Sequence, residues 1–246
     1  MNTLFDELKS FAETGFREIY HRFIYIHCRE LLDDIFPGEL DTAITGFIAY
    51  CYIDRTEGIS FRPFMIAAMK EDGIQVFTIP NHEDTIYILR LRDGQTKMSE
   101  LHDGGNHMYL YALDPDRFCF FDLSVVNFDT DSFHEIKDDI DRTYSAGEMV
   151  EEFRSEKYKF LDKYRHRMYP DDVQAFIFNE KNHGVEQVWV RLSFMTEKDE
   201  IFGELLNEPY KDYGCHEGDF IEINEVMVGD KTILIFTGRT AQISNS

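Results

Sequence analysis

From Ala43 onward the apolar residues stop recurring at helical spacing and gather into short runs parted by turn residues. GFIAYCYID (46–54), FRPFMIAAMK (61–70), IQVFTIP (74–80), TIYILRLRD (85–93), HMYLYALD (107–114) and RFCFFDLSVV (117–126) read as six strands. Between them lie Glu57-Gly58, Glu71-Asp72-Gly73, Pro80-Asn81, Asp93-Gly94, Gly104-Gly105 and Asp114-Pro115. Asp-Gly between apolar runs signals a hairpin, because few other residues accept the positive φ of a tight turn. Five further runs follow Pro170: VQAFIFN, VEQVWVRLSFM, EIFGELL, DFIEINEV and KTILIFTG. An aromatic content of 15% suits such strands, since flat rings pack well on a pleated surface.

Helices are expected in two places. Thr3 with Asp6 predicts a cap for a short helix presenting Leu4, Leu8 and Phe11, broken at Gly15. Ile19, Phe23 and Ile26 continue the helical spacing up to Pro37-Gly38. Ser132 with Glu135, and Ser145 with Glu148, read as capping boxes opening two more helices, the second ending near Tyr169-Pro170. The expected fold class is therefore α+β: two mostly antiparallel sheet-containing halves, with N-terminal helices and a helical connection between them. The expected division is residues 1–131, 132–240 and a tail at 241–246.

The formal net charge of −22 comes from 25 basic and 47 acidic residues, with −10 in residues 1–123 and −12 in 124–246. An excess this even is no acidic tail. It favours solubility and a basic partner, and it disfavours direct nucleic-acid binding, which needs a basic footprint. Cys28, Cys51, Cys119 and Cys215 lie far apart, which fits reduced thiols in a cytoplasmic protein better than a disulfide framework. No signal peptide is expected at MNTLFDELKS, and no apolar run reaches membrane-spanning length.

The stretch Glu186 to Asp219 carries the sole tryptophan and reads E-x-x-W-V, then G-x-L-x-N-x-P, then G-D leading into a strand. Through Glu186, Trp189-Val190, Gly203, Leu205, Asn207, Pro209 and Gly218-Asp219, the region from about Ser145 to Gly238 resembles the YegJ-like bacterial domain (domain of unknown function 2314). That resemblance implies an architecture and a candidate surface, without an activity. On a strand Trp189 and Arg191 share one face while Val188, Val190 and Leu192 share the other. Trp189 is then either a core anchor or an aromatic platform beside a groove. Asn207-Glu208-Pro209 reads as a turn held by the asparagine amide.

Asn127, Asp129, Asp131, Glu135 and Asp138 approach a calcium-loop spacing, but Ser132 replaces the turn glycine and Asp138 the bidentate glutamate. His102-Asp103-Gly104-Gly105-Asn106-His107 offers ligand types without a fixed third partner, so a polar hairpin loop is its simpler reading. Cys215-His216 are sequence neighbours, which seldom face each other as a thiolate–imidazolium pair. No P-loop, dinucleotide fingerprint, serine elbow or H-E-x-x-H helix occurs. The candidate binding surface comprises Glu186, Trp189, Asn207, Glu208, Asp219, His102 and His107, with no catalytic residue, metal or cofactor assigned. The leading expectation is a non-catalytic acidic protein that neutralises a basic partner, as an immunity protein neutralises a toxin. The alternatives are a small-molecule-binding protein or enzyme using a cleft between the halves, and a subunit of a larger assembly.

Overall fold

The computed structural model describes residues 4–29, 44–70, 73–78, 108–109, 119–126, 130–179 and 184–241. It divides into two compact units, Met1–Tyr144 and Ser145–Ser246. Strand accounts for 48% and helix for 24%, so the protein is mostly β and the α+β expectation is corrected. The N-terminal helices are where that expectation fails. Leu4–Glu7, Phe11–Glu13 and Phe16–Glu18 are single 3-10 turns, and the supposed second helix contains a strand. Phe23-Ile24-Tyr25-Ile26-His27 carries helical spacing, but it is also an unbroken run of aromatic and β-branched residues. In so short a run periodicity cannot separate helix from strand, and pairing on both sides decides for strand.

In the first unit, the strands among the described residues are β1 (Lys9–Ser10), β2 (Phe23–His27), β3 (Gly46–Asp54), β4 (Gly58–Lys70), β5 (Gly73–Thr78), β6 (Met108–Tyr109) and β7 (Cys119–Asp122). Their order is β1-β7-β2-β3-β4-β5, with β6 also on β4, and every pair is antiparallel. Asp54 makes the β3–β4 turn by accepting from the N–H groups of Thr56 (2.6 Å) and Glu57 (3.0 Å). That is the local chemistry for which aspartate is favoured in turns. From Gly46 to Ile53 every residue of β3 is buried, so both faces of this central strand are covered. Tyr25, Tyr50, Tyr52 and Phe121 form one face with Ile140, which comes from helix α1 (His134–Thr143). The Tyr50 hydroxyl donates to Asp141 at 2.7 Å, tying α1 to β3. Gly46 is obligatory here, because a Cβ would stand 1.9 Å from the Ile26 carbonyl oxygen.

The second unit opens with helix α2 (Glu148–Phe153) and a separate 3-10 segment, Glu156–Tyr164. One continuous helix was expected from Ser145 onward. It breaks at Arg154-Ser155, where Arg154 is buried and its guanidinium is held by Asp171 (2.9 and 2.7 Å) and Glu151 (2.8 Å). Five strands follow: β8 (Asp172–Asn179), β9 (Gly184–Met195), β10 (Ile201–Leu205), β11 (Phe220–Val228) and β12 (Lys231–Ala241). They match the five runs read after Pro170 and close into a barrel in sequence order. Neighbours along the chain pair antiparallel, while β12 meets β8 in parallel at Ile235 and Phe176. An odd meander leaves its first and last strands pointing the same way, so closure has to be parallel. Val173, Ala175, Ile177, Val188, Val190, Leu192, Leu205, Ile221, Ile223 and Leu234 fill the interior. Among the described residues, no helix is long and apolar enough to cross a membrane.

Candidate functional site

A cavity of about 230 Å³ lies against the outer face of the barrel, lined by His166, Tyr169, Asp172, Trp189, Leu206 and Asn207. Strand alternation explains its floor. Val188, Val190 and Leu192 point inward and are buried, which turns Trp189 and Arg191 outward at intermediate exposure. Trp189 therefore lies outside the barrel's buried cluster and beside the cavity. Gly203 lets β10 approach closely here, since a Cβ would lie 2.5 Å from Val190 Cγ1 and 2.7 Å from the Arg191 carbonyl oxygen.

One wall is the segment leaving β10. The Leu206 N–H donates to the Trp189 carbonyl (2.9 Å), and the Trp189 N–H donates to Asn207 Oδ1 (2.8 Å). The asparagine amide thus replaces a main-chain acceptor where the ladder ends. The opposite wall is the turn from His166 to Asp172. Its frame is the His166 N–H to Asp172 carbonyl bond (2.7 Å) and the Asp172 N–H to Tyr169 carbonyl bond (2.9 Å). Arg165 reinforces it by donating to the carbonyls of Pro170 and Phe153, and the buried Arg154–Asp171 pair anchors its far end. Both Asp172 carboxylate oxygens are taken by Arg191, at 2.8 and 3.0 Å.

The His166 ring stands edge-on to Trp189, centroids 5.1 Å apart at 73°, and 5.1 Å from Tyr169. Burial holds the His166 pKa below the ordinary imidazole value, although the Asp172 charge opposes this. The Met168 N–H donates to Nδ1 at 3.2 Å, which assigns the proton of the neutral ring to Nε2. The site therefore offers aromatic walls, a neutral imidazole and an internally compensated carboxylate.

Trp189 and Asn207 are brought together as a site, whereas Glu186, Glu208 and Asp219 staple the loop between β10 and β11. Glu186 Oε2 accepts from the Tyr210 N–H (2.7 Å), and Asp219 Oδ2 accepts from the His216 N–H (2.7 Å). Glu208 accepts from the Glu217 N–H and pairs with His216 Nδ1, both at 2.8 Å. That pairing raises the His216 pKa and lowers that of Glu208. Cys215 is buried, and its neighbour His216 pairs with Glu208 instead; burial first, then Asp219 and other nearby acids, push the Cys215 pKa up to about 11. His102, His107 and the strand expected at 85–93 lie outside the described residues. Among the described residues, no cluster of three or more metal-ligating side chains forms.

Sequence reasoning missed His166, Tyr169 and Asp172, which sit where the helix was taken to end. The only signal was aromatic and charged residues around Pro170, and it does not say what faces Trp189. No family model, curated protein or solved structure matches the chain.

Proposed function

We propose that the protein is a non-catalytic bacterial cytoplasmic protein whose acidity captures a basic partner, in the manner of an immunity protein, with a YegJ-like domain as its C-terminal part. The observation that carries this reading is the disposition of charge in the second unit. Arg154, Lys163, Arg165, Arg191 and Arg239 each lie within ion-pair distance of carboxylates of the same unit. Those five cations are thus engaged internally, while acids outnumber bases 20 to 12 over residues 145–246. Such a field steers a basic protein inward and repels acidic competitors. The raised pKa values of the buried Cys28, Cys51 and Cys215 keep these groups as thiols, which fits binding better than nucleophilic chemistry.

A pull-down from the native host's lysate tests this. A basic protein retained at low salt and released near 1 M salt is the expected result, since screening shortens the field's reach from about 10 Å at 0.1 M to about 3 Å. A neutral partner, or one indifferent to salt, overturns it. The Trp189 cavity favours a second reading, a small-molecule-binding protein. That reading requires a metabolite that raises the melting temperature of the wild type but not of Trp189→Ala.

A further inference from the structure

Charge, shape and hydrogen-bonding pattern each restrict what the Trp189 cavity can hold. Its carboxylate, Asp172, has both oxygens held by Arg191, at 2.8 and 3.0 Å. Burial favours the uncharged form of His166, while Trp189, Leu206 and Asn207 carry no charge. A charged guest would leave its hydration shell and meet no unmatched counter-charge among these groups. An anion is opposed further by the surplus of 20 acids over 12 bases in residues 145–246.

Three of the six lining residues are aromatic. His166 is inclined at 73° to Trp189 and at 57° to Tyr169. A flat ring entering beside so steeply inclined a pair meets one by its face and the other by its edge, and both arrangements are favoured between aromatic groups. The volume of about 230 Å³ lies below the range that holds drug-sized ligands, which limits the guest to one ring or a fused pair.

The polar groups are of both kinds. Asn207 Oδ1 is fixed by the Trp189 N–H, which leaves the Nδ2 amide as a donor. His166 Nδ1 is fixed by the Met168 N–H, which leaves Nε2–H as a second donor. The main-chain carbonyls of His166, Leu206 and Asn207 also line the cavity and take no described N–H. A hydrocarbon ring would leave these donors and acceptors unmet, at a cost for each group kept from water.

We infer that the cavity binds an uncharged, planar heteroaromatic ring with a lactam edge, C=O beside N–H, as in pyrimidinone and purinone bases. This rests on the reading of the cavity as a small-molecule site. The lactam carbonyl accepts from Asn207 or His166, its N–H donates to a main-chain carbonyl, and the ring packs against Trp189. The same chemistry attached to a phosphate is excluded by charge, so the guest is a free base and not a nucleotide.

The test titrates the full chain with uracil and with hypoxanthine. Trp189 is the sole tryptophan, so its emission reports this site. At least one of the two is expected to change that emission saturably, and failure of both overturns the inference. Three changes to the uracil ring then test its three parts in calorimetry. The N–H groups are removed in 1,3-dimethyluracil, which should bind about ten-fold more weakly. Dihydrouracil keeps the lactam but loses the flat ring, and should also weaken about ten-fold. Orotate carries a carboxylate where 6-methyluracil carries a methyl, and should bind at least ten-fold more weakly than 6-methyluracil. Equal affinity in any one of these comparisons overturns the part it tests. Asn207→Asp keeps an acceptor for the Trp189 N–H and removes the amide donor. It should weaken the bound base about ten-fold with the circular dichroism spectrum unchanged, and equal affinity removes Asn207 from the site. If both bases fail while another metabolite raises the melting temperature of wild type but not of Trp189→Ala, this inference falls and the small-molecule reading stands.

Discussion

The two units solve the same problem, burying aromatic-rich strands, in different ways. In the first, central β3 is buried on both faces, and the described strands form an open sheet. In the second, the sheet closes on itself and β9 buries only alternate residues, Val188, Val190 and Leu192. Closure removes the edges and leaves an outer face free for a site. The open sheet spends both faces of its central strand on stability. This is why the described candidate pocket belongs to the barrel and why it sits on a strand's outward residues.

Gly46 in the open sheet and Gly203 in the barrel each let two backbones approach closely, which gives the most severe way to break the comparison. Gly46→Ala would place a methyl 1.9 Å from the Ile26 carbonyl, and should destabilise the first unit by more than about 4 kcal/mol. Gly203→Ala meets Val190 Cγ1 at 2.5 Å and the Arg191 carbonyl at 2.7 Å, and should act on the barrel at about 1–3 kcal/mol. Denaturation followed by Trp189 emission reads the barrel alone, while circular dichroism reads both. A loss of Trp189 structure in Gly46→Ala would show that the units are not energetically separate.

Asp171→Ala should cost the barrel unit about 3–5 kcal/mol, because it strands the buried Arg154 guanidinium. An unchanged denaturation midpoint would mean that Arg154 finds full compensation at Glu151. Tyr213→Phe should be neutral or slightly stabilising. The Tyr213 hydroxyl is buried with no hydrogen-bond partner among the described residues, and burial first, then the nearby Glu186, raises its pKa. A loss of about 1 kcal/mol would instead place a real bond to Glu186 there.

The smallest effect separates pocket from loop. A proton NMR titration should find His166 titrating below the ordinary imidazole value and His216 above it. For His216 the raised folded value means that its contribution is complete below the unfolded pKa and fades as pH rises through the folded one. For Glu208 the lowered value means that its contribution is complete above the unfolded pKa and is lost as pH falls through the folded one. The pair therefore steadies its loop in the mildly acidic range between those limits. Both groups are exposed, so the shifts should be visible in the spectrum and barely visible in stability. Coincident titration of His166 and His216 would remove the distinction.

Much of the barrel was legible in the chain. Five apolar runs bounded by turn residues became five strands, and the alternation around Trp189 put Val188, Val190 and Leu192 on one face, which the barrel turned inward. The N-terminal region was not legible, because Phe23–His27 satisfies both periods and only its pairing with β3 and β7 selects one. The candidate surface was half legible. Trp189 and Asn207 could be singled out as the sole tryptophan and a turn amide, but their mutual bond spans 18 residues and has no sequence signature.

The sequence by itself determined which residues alternate, where turns interrupt them, and that the protein carries a strong and even negative charge. Those are local and additive properties. Only the tertiary structure decided that the second sheet closes and that the expected helix breaks beside the Arg154–Asp171 pair. It alone brought His166 and Tyr169 opposite Trp189. Each of those depends on contacts between residues distant in the chain, where packing and desolvation, rather than local propensity, set the outcome.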